Sequence, residues 1–200
     1  MKTLKINQNS DEWFEARKGK ITGSKLKDII VKRGNGKKIG FYQLIADRVA
    51  VEPDDEDQME RGHRLQSEAI EAFEKKHNCK TEQIGMWIAD FNDNIAISPD
   101  AVVSDKEAVE VKCLKSANHL KAVIENEIPS EHFEQVVQYF IVNEQLETLY
   151  FVLYDPRIVA RPYHEIKVVR DDIAPVVEQV KDYQIQTLKE VDEWVERLAF

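Results

Sequence analysis

The sequence predicts an α/β protein, because stretches with helical and with strand periodicity alternate along its 200 residues. The clearest strand signal lies at residues 107–112, where valines alternate with mostly polar side chains. The clearest helix signals are an apolar stripe at 62–77 and a longer one after residue 171. The apolar fraction of 42% is that of a globular chain, and the length fits one domain over residues 1–200.

The other elements follow from local signals taken in chain order. Residues 10–17 predict a short helix that Ser10 caps, with Trp13 and Phe14 turned toward the core. Asp171 is placed to cap the last helix. Further helices are expected at 41–50, 117–125 and 131–143, and strands at 80–88, 94–98, 149–154 and 164–169.

The most informative stretch is Asp100, preceded by Ser98 and Pro99, with Glu110 and Lys112 following. A hairpin through the polar turn between them would place both carboxylates and the ammonium on one sheet face. Such a group is costly to bury unless its members share a partner, and a divalent cation with oxygen ligands supplies one. The alternative is an amphipathic hairpin whose outer face carries these charges because water is there. The proline and aspartate at this spacing favour the metal site.

Asp-x9-Glu-x-Lys with a preceding proline resembles the PD-(D/E)xK nuclease core. More narrowly, the chain resembles the phage lambda exonuclease family, the YqaJ-type viral recombinase nucleases. The resemblance implies a restriction-endonuclease-like fold, with a central mixed sheet flanked by helices, and one nuclease domain. Besides the core motif, the matching parts are Trp13, the segment 17–24, Gly62, the Gln-rich segment 135–139 and the segment 154–157.

The resemblance also implies an activity. It implies a Mg²⁺-dependent deoxyribonuclease, with Mn²⁺ able to substitute, that digests the 5′ strand of linear double-stranded DNA. The products would be mononucleotides and 3′ overhangs for recombination. It further implies a ring-shaped homotrimer, a single-strand annealing protein as partner, and a phage- or prophage-encoded protein in the bacterial cytoplasm, with no membrane span. The alternatives are a structure-selective endonuclease on the same core and a DNA-end-binding protein with impaired catalysis.

The family pattern assigns roles to the acidic side chains and the lysine. Lys112 would position the attacking water and help to deprotonate it. Asp90 matches a family acid, but a turn aspartate explains it equally well. The implied metal ligands are Asp100, Glu110, the carbonyl of Val111, Gln66 and Asp90.

The chain departs from the family at Gln66. The pattern expects Glu four residues after Gly62, and Glu68 is about 200° round a helix from that place. The amide can still ligate or hydrogen-bond, but without charge it holds a divalent ion less firmly. Two explanations remain open: a member that tolerates the amide, or an introduced replacement that traps uncleaved DNA. In either case, Gln66→Glu is expected to raise Mg²⁺-dependent activity.

Gln135 and Tyr139 stand at i and i+4 and share a helix face. Related nucleases place Gln-x-x-x-Tyr beside the metal site, and the amide suits a phosphate oxygen or a metal-bound water. Gln138 is the alternative in a neighbouring register.

The net charge of −9 argues against DNA until its distribution is considered. Nine basic residues stand against two acids between Glu15 and Lys38, which indicates a localised nucleic-acid surface. Thr22 or Ser24 opens a helix there, and free helix amides favour anions. By resemblance, the 5′-phosphate and DNA contacts are Arg17, Thr22, Ser24, Arg33 and Lys37.

Overall fold

The computed structural model describes residues 1–31, 38, 40–41, 44, 60–114 and 116–198, with the backbone alone at 60–64 and 116–117. Within those ranges the strands are β1 (Lys2–Leu4), β2 (Met86–Ile88), β3 (Ala96–Ile97), β4 (Ala101–Ser104), β5 (Glu107–Lys112), β6 (Thr148–Tyr154) and β7 (Tyr163–Val169). The helices are α1 (Asp11–Arg17), α2 (Gly23–Leu26), α3 (Glu60–His77), α4 (Ser116–Glu125), α5 (Ser130–Val142) and α6 (Arg170–Leu198).

The strands form two sheets. One is antiparallel in the order β1-β2-β3, and the other has the order β4-β5-β6-β7. In the second sheet β5 and β6 run parallel, while β4 and β7 pair antiparallel at its edges. Because a parallel pair needs a crossover, α4 and α5 carry the chain from β5 to β6. The predicted α/β fold with a mixed sheet flanked by helices is confirmed.

β5 is buried on both faces because helices cover both sides of the mixed sheet. Val109 and Val111 pack against Ala69 and Phe73 of α3. Ala108, on the opposite face, belongs to the core that α5 and α6 share. The alternation therefore follows the prediction, but the alternative of an amphipathic hairpin with a solvated outer face is wrong.

The first and last helices depart in detail from the sequence prediction. Ser10 caps α1 by accepting a hydrogen bond from the backbone N–H of Trp13 at 3.2 Å. Trp13 is buried as expected, but Phe14 is 41% exposed, so its inward placement is wrong. α6 begins at Arg170, which leaves Asp171 in the first turn rather than at the cap.

The β1-β2-β3 sheet is smaller than the sequence predicted, and one of its strands was not predicted. The strands expected at 80–88 and 94–98 shrink to three and two residues. β1, which was not predicted, pairs with β2 along Lys2–Leu4. This short segment shows no clear alternation of apolar and polar residues that would indicate a strand. Most of the helix expected at 41–50 lies outside the described residues.

α5 lies where the two halves of the fold meet, since it packs against α2, β3, β6 and α6. Gly23 allows this close approach. A Cβ there would lie 2.2 Å from Ile97 Cδ1 and 3.0 Å from Gln135 Cγ. Glycine at this point therefore brings the start of α2 and the end of β3 against the face of α5 that carries Gln135.

Candidate active site

The β4–β5 hairpin brings Asp100 alongside the end of β5. Ala101 pairs with Val109, so Asp100, one residue earlier, stands level with the start of the Glu-x-Lys segment. The backbone N–H of Val111 donates to Asp100 Oδ2 at 2.7 Å. The main chain of β5 therefore holds the Asp100 carboxylate next to Glu110.

Glu110 is a buried carboxylate, 1% exposed, that receives three side-chain donors. Lys112 Nζ and Gln135 Nε2 donate to its Oε1, the latter at 2.5 Å. The hydroxyl of Tyr139 donates to its Oε2, also at 2.5 Å. The i, i+4 pair on α5 thus meets Glu110, whereas the alternative residue, Gln138, points to backbone carbonyls elsewhere.

Gln66 lies against the other carboxylate. Its Nε2 donates to Asp100 Oδ1 at 2.7 Å, so α3 delivers the amide to the position where the family pattern has an acid. Glu68 faces away from the pair, as expected, but it is half-buried and accepts a hydrogen bond from Tyr154 at 3.2 Å. Its carboxylate therefore lies against β6 rather than in open solvent.

The ionisation of this cluster reflects two like charges in a buried place. Burial, and then the charge of Glu110, raise the pKa of Asp100 to about 8. Burial works against the charge of Lys112, but Glu110 and Asp100 outweigh it and raise the pKa of Lys112. Burial and the same carboxylates hold the pKa of Tyr139 well above its ordinary value, so the phenol stays a neutral donor.

Two adjacent carboxylates, Glu110 buried and Asp100 half-buried, form a donor set that fits a divalent cation, because a cation would relieve their mutual repulsion. In the part of the chain that the structure describes, no group of three or more His, Cys, Asp and Glu side chains converges. The third position is filled by Gln66 instead. The set suits a cation that needs few charged ligands.

Asp90 is not part of this cluster. It lies in the turn after β2, and its carboxylate contacts the N-terminal ammonium of Met1. β2 and β3 are antiparallel, so this turn is at one end of β3 while Asp100 follows the other end. The turn-aspartate explanation therefore holds, and Asp90 is withdrawn from the ligand set.

A second polar pocket surrounds the guanidinium of Arg17. Its Nη1 donates to Ser98 Oγ at 2.8 Å, and its Nη2 donates to Thr22 Oγ1 at 3.3 Å and Ser24 Oγ at 3.1 Å. The ring of Trp13 lies 4.3 Å from the guanidinium carbon. α2 has only four residues, so this pocket depends on the arginine and the hydroxyls rather than on a helix N-terminus.

Arg17 is a half-buried cation close to the acid pair. Burial lowers its pKa to about 10, while the charges of Glu110, Tyr139 and Asp100 act in the opposite direction. The guanidinium is therefore charged at neutral pH. The arginine pocket adjoins the acid pair, because Ser98, which accepts a hydrogen bond from Arg17, stands two residues before Asp100.

Ser98 is the residue of this pocket that sequence reasoning missed. The sequence drew attention to it only as a residue preceding Asp100, yet its hydroxyl accepts hydrogen bonds from both Arg17 and Trp13. The available signal was its place two residues before Asp100, which puts any side chain there near the pair. Arg33 and Lys37, predicted as DNA contacts, lie outside the described residues.

A mixed sheet whose β4–β5 hairpin carries Asp100, Glu110 and Lys112 defines a PD-(D/E)xK nuclease fold. The model of the YqaJ-like viral recombinase domain matches residues 12–145. The chain belongs to that family. Among curated proteins none matches.

Solved structures share the fold. An alkaline exonuclease (LHK-Exo) from Laribacter hongkongensis superposes with a TM-score of 0.85 at 23% identity, covering 95% of this chain and 96% of that one. LHK-Exo in complex with dAMP gives 0.80 at 22% identity, covering 95% and 98%. A phage-related exonuclease from Haemophilus somnus 129PT gives 0.63 at 14% identity, covering 90% and 96%. Fold and family together support a nuclease of the viral recombinase type.

Proposed function

We propose that the protein is a metal-dependent exonuclease that digests the 5′ strand of linear double-stranded DNA and leaves 3′ single-strand overhangs. The observation that carries this proposal is the adjacency of two sites of opposite charge: Arg17 Nη1 donates to the hydroxyl of Ser98, two residues before Asp100, at 2.8 Å. A 5′-phosphate resting on Arg17 would bring the first phosphodiester of that strand to the acid pair. The product would then be a mononucleotide.

The acid pair would hold the divalent cation, Mg²⁺ or Mn²⁺. Asp100 and Glu110 supply carboxylate oxygens, and Gln66 and the carbonyl of Val111 supply neutral oxygens of the kind these ions accept. When bound, such an ion polarises the phosphate and lowers the pKa of a coordinated water. This ligand set carries two negative charges.

Lys112 is the side chain assigned to the attacking water. Its ammonium is anchored on Glu110 Oε1, at the edge of the acid pair. A cation there orients a water and stabilises negative charge on a phosphate oxygen. Because the carboxylates raise the pKa of Lys112, its amine carries a proton at neutral pH and would have to lose that proton before it could accept one from the water.

Gln135 and Tyr139 position Glu110 rather than react. Each donates to a different oxygen of the carboxylate, so the plane of the group is fixed from α5. Both donors are neutral, so neither of them adds a cation that would compete with a metal ion for the carboxylate. Glu110 is then oriented for a metal ion before the ion arrives.

Arg17 gives the activity its dependence on a strand end. The guanidinium is half-buried, charged and held by three hydroxyls, and a phosphate monoester carries more charge than an internal phosphodiester. The pocket therefore favours a terminal 5′-phosphate over a continuous backbone. This preference supports an exonuclease over a structure-selective endonuclease on the same core.

A second candidate function is a DNA-end-binding protein with little catalysis. Gln66 favours it, because the amide removes one negative charge from the ligands around the cation. An exonuclease and an end-binding protein would both bind DNA ends, but only the exonuclease would release nucleotides.

The test is digestion of matched linear duplexes with 5′-phosphate or 5′-hydroxyl ends, with and without Mg²⁺, beside a closed circular duplex. We expect Mg²⁺-dependent release of acid-soluble mononucleotides from linear DNA, faster from phosphorylated ends, and an intact circle. Nicking of the circle would favour the endonuclease, and binding without release would favour the end-binding protein.

Arg17→Ala tests the pocket in the same assay. Loss of charged hydrogen bonds worth roughly 1.5–3 kcal/mol should reduce the advantage of phosphorylated ends about 10- to 100-fold. Arg17→Lys is the matched control, because it keeps the charge and loses the planar fork. An undiminished phosphate preference in Arg17→Ala would remove the pocket assignment.

The family also leads us to propose a homotrimeric ring and a single-strand annealing protein as partner, acting on phage DNA in the bacterial cytoplasm. Sedimentation of the purified chain tests the trimer. In the described part of the chain, no helix combines the length and apolar content needed to cross a membrane.

A further inference from the structure

Two amide side chains are buried completely between α5, α6 and the β1-β2-β3 sheet. Gln138 and Gln184 are both 0% exposed. Gln184 Nε2 donates to Gln138 Oε1 at 2.8 Å. That bond fixes the orientation of the Gln138 amide, so that its NH₂ group faces the opposite way, toward two backbone carbonyls.

Those carbonyls belong to Ile21 and Ala96. Gln138 Nε2 donates to Ile21 O at 3.1 Å and to Ala96 O at 3.3 Å. Ile21 immediately precedes Thr22, and Ala96 stands two residues before Ser98. One amide thus ties together the two backbone segments that carry opposite walls of the arginine pocket.

Within the described residues, a short backbone junction joins the two segments. Ile21 and Ile95 form an isolated bridge rather than a ladder. Its backbone bonds are Ile21 N–H to Asn94 O at 2.8 Å and Ala96 N–H to Ile21 O at 3.0 Å. The Gln138 amide adds a donor to this short junction, on the side that leads to Thr22 and to the Arg17 guanidinium.

We propose that Gln138 is a positioning residue for 5′-phosphate recognition: it holds the Thr22 and Ser98 walls at the separation that lets one guanidinium bond to both. The inference rests on the proposed function of the pocket. Gln138 touches neither Arg17 nor the acid pair in the bonds described, and acts through the backbone. Gln184 supports it by fixing the amide.

The test is Gln138→Met, which nearly keeps the side-chain volume and removes the donor. It is assayed on linear duplexes with 5′-phosphate or 5′-hydroxyl ends under saturating Mg²⁺. Loss of a net hydrogen bond predicts a rise of about 5- to 10-fold in KM for phosphorylated ends, with little change for hydroxyl ends or in kcat. Gln184→Met leaves the donor but frees the amide, so a smaller change in the same direction is expected.

Asn143→Ala is the matched control. Asn143 is also buried, at the C-terminal cap of α5, and its amide also donates to a backbone carbonyl, that of Asp105 at 2.8 Å, but at the far turn of the β4–β5 hairpin. It should lower the melting temperature and leave the phosphate preference of the wild type intact.

The outcomes separate the two levels of the argument. A wild type that does not prefer phosphorylated ends overturns the pocket itself, and with it the role of Gln138. A wild type with that preference, retained by a folded Gln138→Met protein of lower melting temperature, overturns only the positioning role. If Gln138→Met does not fold, an unchanged preference in Gln184→Met overturns it.

Discussion

Replacing Gln66 by Glu tests the charge balance of the acid pair. The amide nitrogen lies 2.7 Å from Asp100 Oδ1, so the substitution converts a hydrogen bond into a contact between carboxylates. Even after relaxation to about 4 Å, two unit charges at an effective dielectric constant of about 20 repel each other by roughly 4 kcal/mol. In a domain of this size that corresponds to a melting temperature lower by roughly 8–16 °C at a pH above about 8, where Asp100 is ionised.

A divalent cation should reverse the sign of this effect, because it turns the third carboxylate into a ligand. We therefore expect Gln66→Glu to melt lower than the wild type in EDTA and to gain more from added Mg²⁺. A tenfold gain in Mg²⁺ affinity requires only about 1.4 kcal/mol, well within the repulsion that the ion relieves. Nucleotide release should rise most at Mg²⁺ concentrations that do not saturate the wild type.

The assay is a Mg²⁺ titration of the melting temperature, paired with release of acid-soluble nucleotides from a linear duplex. Glu68→Gln serves as the control on the same helix, since Glu68 bonds to Tyr154 and faces away from the pair. Its Mg²⁺ response should match that of the wild type. Identical Mg²⁺ dependence of melting in the wild type and Gln66→Glu would refute the placement of residue 66 among the cation ligands.

Two further substitutions probe the surroundings of the same cluster. Asp100→Asn should abolish the Mg²⁺-dependent release of nucleotides. It should also change how stability depends on pH. Because folding raises the pKa of Asp100 from 3.8 to about 8, between these two values the folded Mg²⁺-free wild type holds a proton that the unfolded chain has lost. Its melting temperature should therefore fall as pH rises through that interval, and Asp100→Asn should lack this part of the fall. Gly23→Ala should lower the free energy of unfolding by roughly 1–3 kcal/mol, since its Cβ would lie 2.2 Å from the buried Ile97 side chain, and it should slow nucleotide release by displacing Gln135. Denaturant melts measure the first effect and kcat measures the second. Wild-type values of both would contradict the packing argument.

The sequence predicted well wherever a residue's role depended on local spacing. The alternation in β5 and the i, i+4 relation of Gln135 and Tyr139 each depend on a few consecutive residues. The contact of Gln135 and Tyr139 with Glu110 could be predicted only from the family pattern. This contact depends on the crossover in which α5 leads the chain from β5 to β6. That crossover is set by the parallel pairing of the two strands, which local spacing does not report.

Prediction failed where tertiary contacts decided between local alternatives. Asp90 and Asp100 look equivalent as acids ten residues apart, but antiparallel pairing of β2 and β3 sends them to opposite ends of a strand. Glu68 falls on the polar side of α3, yet β6 covers that side and supplies Tyr154. Ser98 was overlooked because its partner, Arg17, is distant in sequence.

The Gln66 amide makes physical sense when the charges of both pockets are considered together. When Asp100 is ionised, above its pKa of about 8, the two carboxylates face two positive charges, those of Lys112 and Arg17. Under those conditions the described cluster is close to neutral before any metal or DNA arrives. An acid at position 66 would leave it one charge negative, which favours a metal ion but strains the metal-free fold. The neutral amide shifts that balance toward a stable metal-free cluster, so that cation binding must compete with Lys112 for Glu110.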